Sequence, residues 1–371
     1  MKATRTIRII TSLSLAVVVI SAISWLGLGQ ISSAINRVDV FGTLDKRPEK
    51  PSTALNYLLV GSDTREGLTK EQSRLLRVGT TKSAAGARSD TMLLVHISKA
   101  RDKATIISIP RDSLVTIPEH QSSIYKDRII PAANGKINAA FAWGGAPLLI
   151  QTIENETGVR IDHYVEIGFA GFAGVVDSLG GIEVCSKRDI DDPKSHLVMS
   201  AGVHTLNGVE ALKYVRTRDF DGMGDLGRMQ RQQQFMSAVL RKLTSTGVLL
   251  NPVKLINFFN SAIATVKTDS QLNSNDLLTL AKQLKNLSAS KVRTLTIPLS
   301  NANARVDGVG SVVIWDKELA PDLFNRMRLD LPLIDEVTPS PSASSSATPK
   351  PILVDKFKTR TAAENPCGAL K

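Results

Sequence analysis

The chain has 371 residues, of which 42% are hydrophobic, so it can bury a substantial core as one large domain or two small ones. Its net charge is +11 and its pI is about 9.6, which favours polyanions or an anionic membrane as partners. The two cysteines and five scattered histidines lack zinc-finger spacing, and the chain has no G-x-x-x-x-G-K-[ST] motif. A zinc finger and a P-loop nucleotide site are therefore excluded.

The first predicted element is an uncharged apolar run at residues 9–29, preceded by Lys2, Arg5 and Arg8. At about 1.5 Å per helical residue, this run crosses the roughly 30 Å hydrocarbon core of a bilayer once. Basic residues before the span place the N-terminus in the cytoplasm. The sequence thus predicts a cytoplasmic stub over 1–8 and a transmembrane signal-anchor helix over 9–29.

Everything after this span is then extracytoplasmic, and the protein is predicted to lie in the cell membrane as a single-pass protein. The basic domain would be on the wrong side of the membrane for nucleic acid, which we exclude as a partner. A cleaved signal peptide is the alternative, because Ser32, Ser33 and Ala34 resemble a cleavage site.

One α/β domain is predicted from residue 53 to residue 333, after a membrane-proximal stalk over 30–52. Short apolar runs ended by Gly or Pro indicate strands, and longer periodic segments indicate helices. The first half of the domain is predicted to contain a strand at 57–60, a loop at 67–86, a hairpin of strands 92–97 and 105–109, and a helical region at 137–158 broken at Gly144 and Gly145. A strand–helix–strand unit follows at 164–167, 169–179 and 182–184. The remaining predicted elements are a short helix capped by Asn207 and Glu210 and ending near Val215, a helix at 226–243, and a helix starting at Asn251 and Pro252.

Beyond this domain the composition changes. Residues 334–351 form a Pro/Ser/Thr linker that cannot build a core, and 352–371 form a C-terminal tail. The two cysteines are Cys185 and Cys367, and cysteines in an oxidising compartment usually pair. We predict a disulfide that fixes the tail; the alternative is a buried thiol and an unpaired tail cysteine.

Two carboxylates lie at predicted strand ends: Asp63 directly follows the first strand and Asp90 directly precedes the next. Ligand groups collect at strand ends in open α/β sheets, and two close carboxylates repel unless a cation lies between them. Magnesium suits such a pair, because it accepts one or two protein carboxylates and completes its shell with water and phosphate oxygens. Ordinary loop capping by Asp is the alternative.

Basic side chains accumulate near predicted element ends. On a helix, Arg228 and Gln232 share a face. Arg231 projects about 100° away from Gln232, and one interpretation places it on the solvent side of the helix. A lone arginine is usually a surface ion-pair partner, but several among glycine loops favour a phosphate-rich ligand. The set comprises Arg65, Arg88, Arg111, Lys136, Arg216, Arg218, Arg228 and Arg231.

At these residues the sequence resembles the LytR-CpsA-Psr (LCP) family. The resemblance covers about residues 55–245 and rests on seven ordered blocks: VGSDTR, ARSDTMLLVHI, ISIPRDS, KINAAFAWGG, VEIGFAGFAGVVDSLGGIEV, AGVHTLNGVEALKYVRTR and GDLGRMQRQQQF. The tail and Cys185 resemble actinobacterial members. The resemblance implies a mixed central β-sheet flanked by helices, an α/β/α arrangement.

It also implies a phosphotransferase that moves a secondary cell-wall glycopolymer from a polyprenyl-pyrophosphate carrier to a peptidoglycan sugar hydroxyl. By match to the family motifs, Asp63 and Asp90 would hold Mg²⁺ or another divalent cation such as Mn²⁺. Asp90 is our candidate for the base that takes the acceptor proton, and Arg111 and Arg218 would act with it in catalysis. The pyrophosphate would be surrounded by Arg88, Arg111, Lys136, Arg216, Arg218, Arg228 and Gln232.

Three questions stay open at this stage. A pyrophosphatase acting on the same lipid would use the same metal and arginines. A non-catalytic regulator that binds lipid-linked pyrophosphate is a further alternative, although the cytoplasmic stub is too short for a DNA-binding module. The polyprenyl tail needs an apolar slot, and the candidates for its lining are Phe141, Trp143, Leu148, Phe169, Phe172 and Val175, although an apolar helix stripe more often belongs to a plain core.

Overall fold

The computed structural model describes residues 36–44, 46–78, 89–125, 127–245, 266–273, 276, 279–280, 283, 287–337, 352–364 and 367. The apolar run at 9–29, the helix predicted from Asn251 and most of the predicted linker lie outside them. Within the described residues, no helix is long and apolar enough to cross a bilayer.

The described strands, in chain order, are β1 (Asn36–Val38), β2 (Leu55–Ser62), β3 (Ser89–Ile97), β4 (Ala104–Ile109), β5 (Leu114–Ile117), β6 (His120–Gln121), β7 (Ile129–Ile130), β8 (Ala133–Lys136), β9 (His163–Ile167), β10 (Ile182–Ser186), β11 (Ile190–Asp192), β12 (Leu197–Met199), β13 (Gly202–Leu206), β14 (Val266–Asp269), β15 (Val292–Thr296), β16 (Leu299–Val306), β17 (Gly310–Trp315), β18 (Asp335–Val337), β19 (Ile352–Val354) and β20 (Arg360–Thr361). The helices used below are α1 (Lys70–Leu76), α2 (Ile137–Thr157), α3 (Phe169–Ser178), α4 (Gly208–Arg216), α5 (Gly224–Ser245) and α6 (Leu319–Leu329).

A mixed eight-stranded sheet forms the centre of the fold, in the order β1-β14-β9-β2-β3-β4-β15-β20. Strands β2, β3 and β4 are antiparallel neighbours, as the predicted hairpin requires. Strand β9 pairs parallel to β2, and β15 pairs parallel to β4. The carboxyl ends of β2 and β4 therefore lie at the same edge of the sheet, on either side of the start of β3.

Helices cover both faces of this sheet. Successive side chains of a strand point to opposite faces, and both faces carry apolar side chains that need cover. Leu58 and Val60 of β2 face one core, which they share with α2 and α6. Tyr57 faces the opposite core, where partly buried residues of α5 such as Met236 and Leu240 pack. The layers are helices, mixed sheet and helices, which confirms the mixed α/β fold expected from the resemblance.

A third core lies beside α5. Helices α3, α4 and α5 pack there against the two-stranded ribbon of β10 and β13. The predicted strand, helix and strand at 164–167, 169–179 and 182–184 are confirmed as β9, α3 and β10. Strand β10, however, pairs with β13 in a separate ribbon and does not join β9 in the central sheet. The alternation of apolar and polar residues in a short strand shows which of its side chains are buried. It does not show which other strand it pairs with.

Local sequence signals place two helices correctly. Asn207 and Glu210 form both hydrogen bonds of a capping box at the start of α4. Helix α2 is interrupted where predicted, at Gly145 with φ of 65°, and ends at Gly158, which has the same φ. Both glycines occupy the left-handed region that other residues disfavour.

Segments outside the predicted domain take part in the fold. Within the segment predicted as a stalk, β1 forms one edge of the sheet and Val40 and Phe41 are buried in the core. Arg47 lies 2.6 Å from the carboxylate of Glu154, which is 2% exposed. At the other edge, β20 of the tail pairs with β15, and Cys367 of the tail forms a disulfide with Cys185 at the end of β10.

Candidate active site

A β-bulge positions Asp90. In the antiparallel pair of β2 and β3, Gly61 faces Thr91 and Ser62 faces Ser89, so Asp90 is an extra residue without a partner on β2. Bulges redirect a side chain out of the strand's regular alternation and are common beside active sites. Asp90 and Asp63, which follows β2, line the same cavity of about 150 Å³.

Arg111 follows the end of β4 and joins two carboxylates. Its Nη1 donates to Asp90 Oδ1 at 2.7 Å, and its Nε donates to Asp225 Oδ2 at 3.2 Å. Burial alone would lower the pKa of Arg111, but the carboxylates of Asp225 and Asp90 outweigh it and raise that pKa. Arg111 is thus a fixed positive charge at the carboxyl edge of the sheet.

Asp225, in the first turn of α5, is the centre of the arginine cluster. Besides Arg111 it pairs with Arg218, and its Oδ2 lies 3.3 Å from Arg228 Nη2. We did not predict Asp225 as a site residue. An available signal was its i,i+3 spacing to Arg228 at a helix start, where acidic residues are favoured.

Arg228 is buried with only part of its hydrogen-bonding capacity used. Its side chain is 6% exposed, and its Nε has no hydrogen-bond partner among the described residues. Burial lowers the pKa of Arg228 to about 10. Because this value is still well above 7, the guanidinium stays charged at neutral pH. Gln232 lies one turn further along the same face and donates to Val215 O at 3.2 Å.

Arg216 ends α4 and lines the same cavity as Asp63 and Asp90. Burial lowers its pKa, while Asp90 and Asp63 act in the opposite direction. Its guanidinium lies 5.1 Å from the centre of the Phe169 ring, and its buried Nη1 has no hydrogen-bond partner within the described part of the chain. A Cβ at Gly208 would collide with the backbone of Ala173, so glycine allows the close packing of α4 on α3.

The backbone of Arg218 is held by Asp192, which is 1% exposed. The Asp192 carboxylate accepts hydrogen bonds from the backbone N–H groups of Arg218, Asp219, Lys194 and Ser195. Burial raises the pKa of Asp192, but these backbone donors outweigh burial and hold it below its ordinary value. Asp192 therefore stays ionised and fixes the loop that presents Arg218.

Two cavities of different character meet at these residues. A polar cavity of about 440 Å³ is lined by Arg111, Arg218, Asp225 and the β16–β17 hairpin. The smaller cavity is largely apolar and lies between the sheet, α3 and α5, with Phe169 and Phe172 in its wall. Asp90, Arg228 and Gln232 line both. The site can thus accept a molecule with a charged part and an apolar part.

Some predicted residues lie elsewhere. Arg88 falls outside the described residues. Lys136 does not line the polar cavity, but its Nζ lies 3.1 Å from Oδ1 of Asp112, which does. Arg231 is not a solvent-side residue: it is 6% exposed, paired with Asp221, and donates to Thr217 O at 2.6 Å. The sequence did not predict this buried pairing, because helical spacing gives no information about contacts between a helix and the loop that precedes it.

The apolar candidates divide in the same way. Phe169 and Phe172 line the small cavity. Phe141 and Leu148 belong to the core on the other face of the sheet, and Trp143 is exposed and stacks on His120. Val175 is partly buried but does not line this cavity. A plain core was the correct interpretation for the two α2 residues.

The donor set at the junction fits a magnesium ion. Among the described residues, no group of three or more His, Cys, Asp or Glu side chains could enclose a metal ion. Asp63 and Asp90 line one cavity, and Arg111 engages only one oxygen of Asp90. Asp90 also lines the polar cavity of about 440 Å³, so a cation held by the two carboxylates could share its shell with substrate oxygens there, as Mg²⁺ prefers.

Comparisons with solved structures support the fold. The structure titled "TagT bound to LIIa-WTA" superposes with a TM-score of 0.56 at 25% identity, covering 80% of this chain and 99% of that one. The LytR-Csp2A-Psr enzyme from Actinomyces oris gives a TM-score of 0.57 at 24% identity over 79% of this chain and 95% of that one. The second likeness shows the fold alone.

Sequence relatives point to one family. The probable cell wall biosynthesis protein LcpB of Corynebacterium glutamicum is 39% identical over 297 residues, which cover 80% of this chain and 66% of that protein, just under two thirds. The polyisoprenyl-teichoic acid–peptidoglycan teichoic acid transferase TagT of Bacillus subtilis is 36% identical over 200 residues, covering 52% of this chain and 53% of the relative. The profile of the LytR_cpsA_psr family matches residues 30–328, and the chain belongs to that family.

Proposed function

We propose that this protein is a membrane-anchored phosphotransferase, which moves a cell-wall glycopolymer from a polyprenyl-pyrophosphate carrier to a sugar hydroxyl of peptidoglycan. The observation that carries the proposal is the junction of the arginine-lined polar cavity with the apolar cavity at Asp90, Arg228 and Gln232. A lipid-linked pyrophosphate has the same division into a charged group and an apolar chain. Relatives named as teichoic acid transferases acting on peptidoglycan support the reaction class.

The arginines suit the pyrophosphate by charge and by geometry. Guanidinium groups bind phosphate oxygens through two parallel N–H donors. The buried Nε of Arg228 and the buried Nη1 of Arg216 have no hydrogen-bond partner among the described residues. A buried donor without a partner costs about 1–3 kcal/mol, and phosphate oxygens reaching these atoms would remove that cost.

In the proposed reaction the acceptor hydroxyl attacks the phosphorus that carries the glycan. A new P–O bond forms, the bridging P–O bond of the pyrophosphate breaks, and polyprenyl phosphate leaves. The hydroxyl proton passes to the carboxylate of Asp90, which Arg111 orients through one oxygen. Arg111, Arg218 and Arg228 lie where negative charge grows on the leaving phosphate, and fixed charges that need no reorganisation lower the barrier most. When bound between Asp63 and Asp90, Mg²⁺ would supply further neutralisation of the phosphate oxygens.

Transfer is tested with a polyprenyl-pyrophosphate glycan labelled in its sugar, incubated with the full chain with and without peptidoglycan. We expect label to enter peptidoglycan, to require Mg²⁺ or Mn²⁺, and to stop when the cation is chelated. Release of free glycan phosphate in both samples would identify a pyrophosphatase. Retention of intact donor on the protein would identify a binding regulator.

Asp63→Asn is the matched variant for the cation, because it removes the charge and keeps the shape. We expect the remaining activity to lose its dependence on Mg²⁺ concentration. Asp316→Asn is the control, since Asp316 lies outside both cavities and caps the turn before α6. An unchanged Mg²⁺ dependence in Asp63→Asn would exclude this residue as a ligand.

We also propose that residues 9–29 anchor the protein in the membrane with the folded domain outside the cytoplasm. The full chain is then expected to stay with membranes after a high-salt wash, whereas a chain starting at Ile35 should be soluble. The start must precede β1, because truncation at Pro51 would remove an edge strand and the buried Val40 and Phe41. Recovery of mature protein beginning at Ile35 would instead establish a cleaved signal peptide.

A further inference from the structure

A third cavity, of about 620 Å³, lies on the side of α5 that faces away from the proposed reaction site. Gln230 and Gln234 line it, whereas Arg228 and Gln232 line the reaction site. Two residues along a helix correspond to a rotation of roughly 200°, so the two pairs lie on opposite faces. We call this cavity the tail cleft, because Arg360, Thr361 and Glu364 of the C-terminal tail form one of its walls.

The tail cleft offers hydrogen-bonding groups that the fold itself does not use. The side chains of Gln230 and Gln234 make no hydrogen bond within the described part of the chain, and neither does the hydroxyl of Tyr214. Burial raises the pKa of Tyr214 to about 12, so this hydroxyl remains a donor at neutral pH. Amides and a hydroxyl beside the Phe220 ring suit the hydroxyl-bearing edges and apolar faces of sugar rings.

The charge of the tail cleft is positive. Lys187, Arg188 and Arg360 are exposed on its rim and form no ion pair with any described residue. The lining carboxylates are engaged elsewhere: Asp221 pairs with Arg231, and Glu364 accepts from Thr361 N at 3.0 Å. The buried Nε of Arg231 has no hydrogen-bond partner among the described residues. The cleft therefore favours an anionic ligand over a neutral one.

The tail wall is held in place at two points. Strand β20 pairs with β15, which places Arg360 opposite Thr294. The disulfide between Cys185 and Cys367 then joins the tail to the ribbon strand that forms the opposite wall. The cleft is thus built from the third core, α5 and the tail together.

The cleft is next to the reaction site around the start of α5. Met223, in the loop before this helix, lines both the tail cleft and the polar cavity. An oligosaccharide that fills the cleft can continue past Met223 toward Asp90 and Arg111. A ligand of several sugars would thus place one sugar at the pyrophosphate and hold the others by hydrogen bonds and charge.

We propose that the tail cleft binds the acceptor glycan strand, at sugars that carry carboxylates and that precede or follow the reacting sugar. This inference rests on the proposed transfer reaction and assigns the place of its acceptor. Peptidoglycan fits the chemistry, because alternate sugars of its strands bear a lactyl group that ends in a carboxylate or a peptide with free carboxylates. The rim cations would meet these acids, and the amides would meet the sugar hydroxyls.

The test reverses one rim charge. In Arg360→Glu the cleft loses a cation and gains an anion, whereas Lys358→Glu makes the same change in the same tail at a residue that does not line the cleft. Titration calorimetry measures binding of a peptidoglycan tetrasaccharide with free carboxylates, and of a neutral N-acetylglucosamine tetrasaccharide, to the full chain in detergent. Thermal melting of both variants checks that the fold is intact.

We expect Arg360→Glu to bind the acidic tetrasaccharide at least about fivefold more weakly, because one exposed ion pair is lost and one repulsion is gained. Lys358→Glu should bind it as the unaltered protein does, and the neutral tetrasaccharide should bind more weakly than the acidic one to the unaltered protein. In the transfer assay, Arg360→Glu should raise KM for the acceptor while KM for the lipid donor stays unchanged. The double variant Gln230→Ala, Gln234→Ala should bind both tetrasaccharides more weakly.

Equal binding of the acidic tetrasaccharide by Arg360→Glu and Lys358→Glu would overturn the proposal, as would equal affinity for the two tetrasaccharides. Failure of the transfer reaction is a separate result, because binding is measured without donor. Binding of the acidic tetrasaccharide that Arg360→Glu weakens, together with an absence of transfer, would contradict the proposed function and support the cleft as a glycan site. A transferase whose acceptor lies elsewhere would transfer at an unchanged acceptor KM in Arg360→Glu.

Discussion

Arg218→Ala is expected to abolish transfer and to leave the melting temperature within about 2 °C of the unaltered protein. The Arg218 side chain is 30% exposed, and its partner Asp225 keeps Arg111 and Arg228 when Arg218 is removed. No carboxylate is left unpaired, so the free energy of unfolding should change by no more than roughly 0.5 kcal/mol. Transfer should fall because one phosphate-binding fork is missing. Arg218→Lys should restore little, since an ammonium group cannot make the two-pronged contact.

Arg231→Ala, a change at a buried arginine of α5, is the matched control and is expected to behave in the opposite way. Arg231 is buried, and its removal leaves Asp221, whose side chain is 12% exposed, without its cation and Thr217 O without its donor. Such a stranded charge costs roughly 3–5 kcal/mol, which corresponds to a fall of about 10 °C in melting temperature. Below that temperature the kcat of transfer per folded molecule, measured at saturating acceptor, should persist, because Arg231 lines the tail cleft and not the reaction site. The deciding data are melting temperature and transfer rate for both variants; a large loss of stability with full transfer in Arg218→Ala would assign Arg218 a structural role.

Removal of the disulfide is expected to lower the free energy of unfolding by up to roughly 5 kcal/mol. Cys185 and Cys367 are 182 residues apart in sequence, and cross-linking so long a loop restricts the unfolded chain strongly. The double variant Cys185→Ser, Cys367→Ser should therefore unfold at lower denaturant concentration than the oxidised protein. The measurement is equilibrium denaturation, with thiol titration of the unaltered protein under non-reducing denaturing conditions.

The tail should be the first part to come loose in this variant. Its remaining ties include the pairing of β20 with β15 and the hydrogen bonds of Ala362 with Val292 and Arg241. Limited proteolysis should cut the tail in the double variant and spare it in the oxidised protein. The reduced unaltered protein serves as the control, because it should match the variant without any change of sequence. Two free thiols in the oxidised protein would contradict the pairing.

The central hairpin, the capped start of α4 and the interruption of α2 could be predicted from the sequence, because each has a local signature. Gly145 and Gly158 need the left-handed region, and Asn207 with Glu210 close a capping box. The motif residues Asp63, Arg111, Arg216, Arg218, Arg228 and Gln232 could be chosen because the family resemblance ordered them along the chain. The structure then brings Asp90 and these six residues to the walls of two adjoining cavities.

Other features depend on contacts between distant segments, which no local pattern encodes. The bulge that turns Asp90 out of β3 arises from the register of β3 against β2. The role of Asp225 arises because α5, β4 and the loop after α4 bring three arginines to one carboxylate. Strands β1 and β20 have three and two residues, too few to show an alternation of apolar and polar positions.

The two outer strands of the central sheet come from near the two ends of the described chain. β1 pairs with β14, and β20 pairs with β15. Such distant pairings form late in folding, because the loops that they close are long. Until β20 arrives, the outer edge of β15 presents unpaired backbone N–H and C=O groups that can recruit a strand from another molecule. A chain without β20 would therefore be prone to associate with itself through β15, so the segment that carries β20 also protects the protein from aggregation.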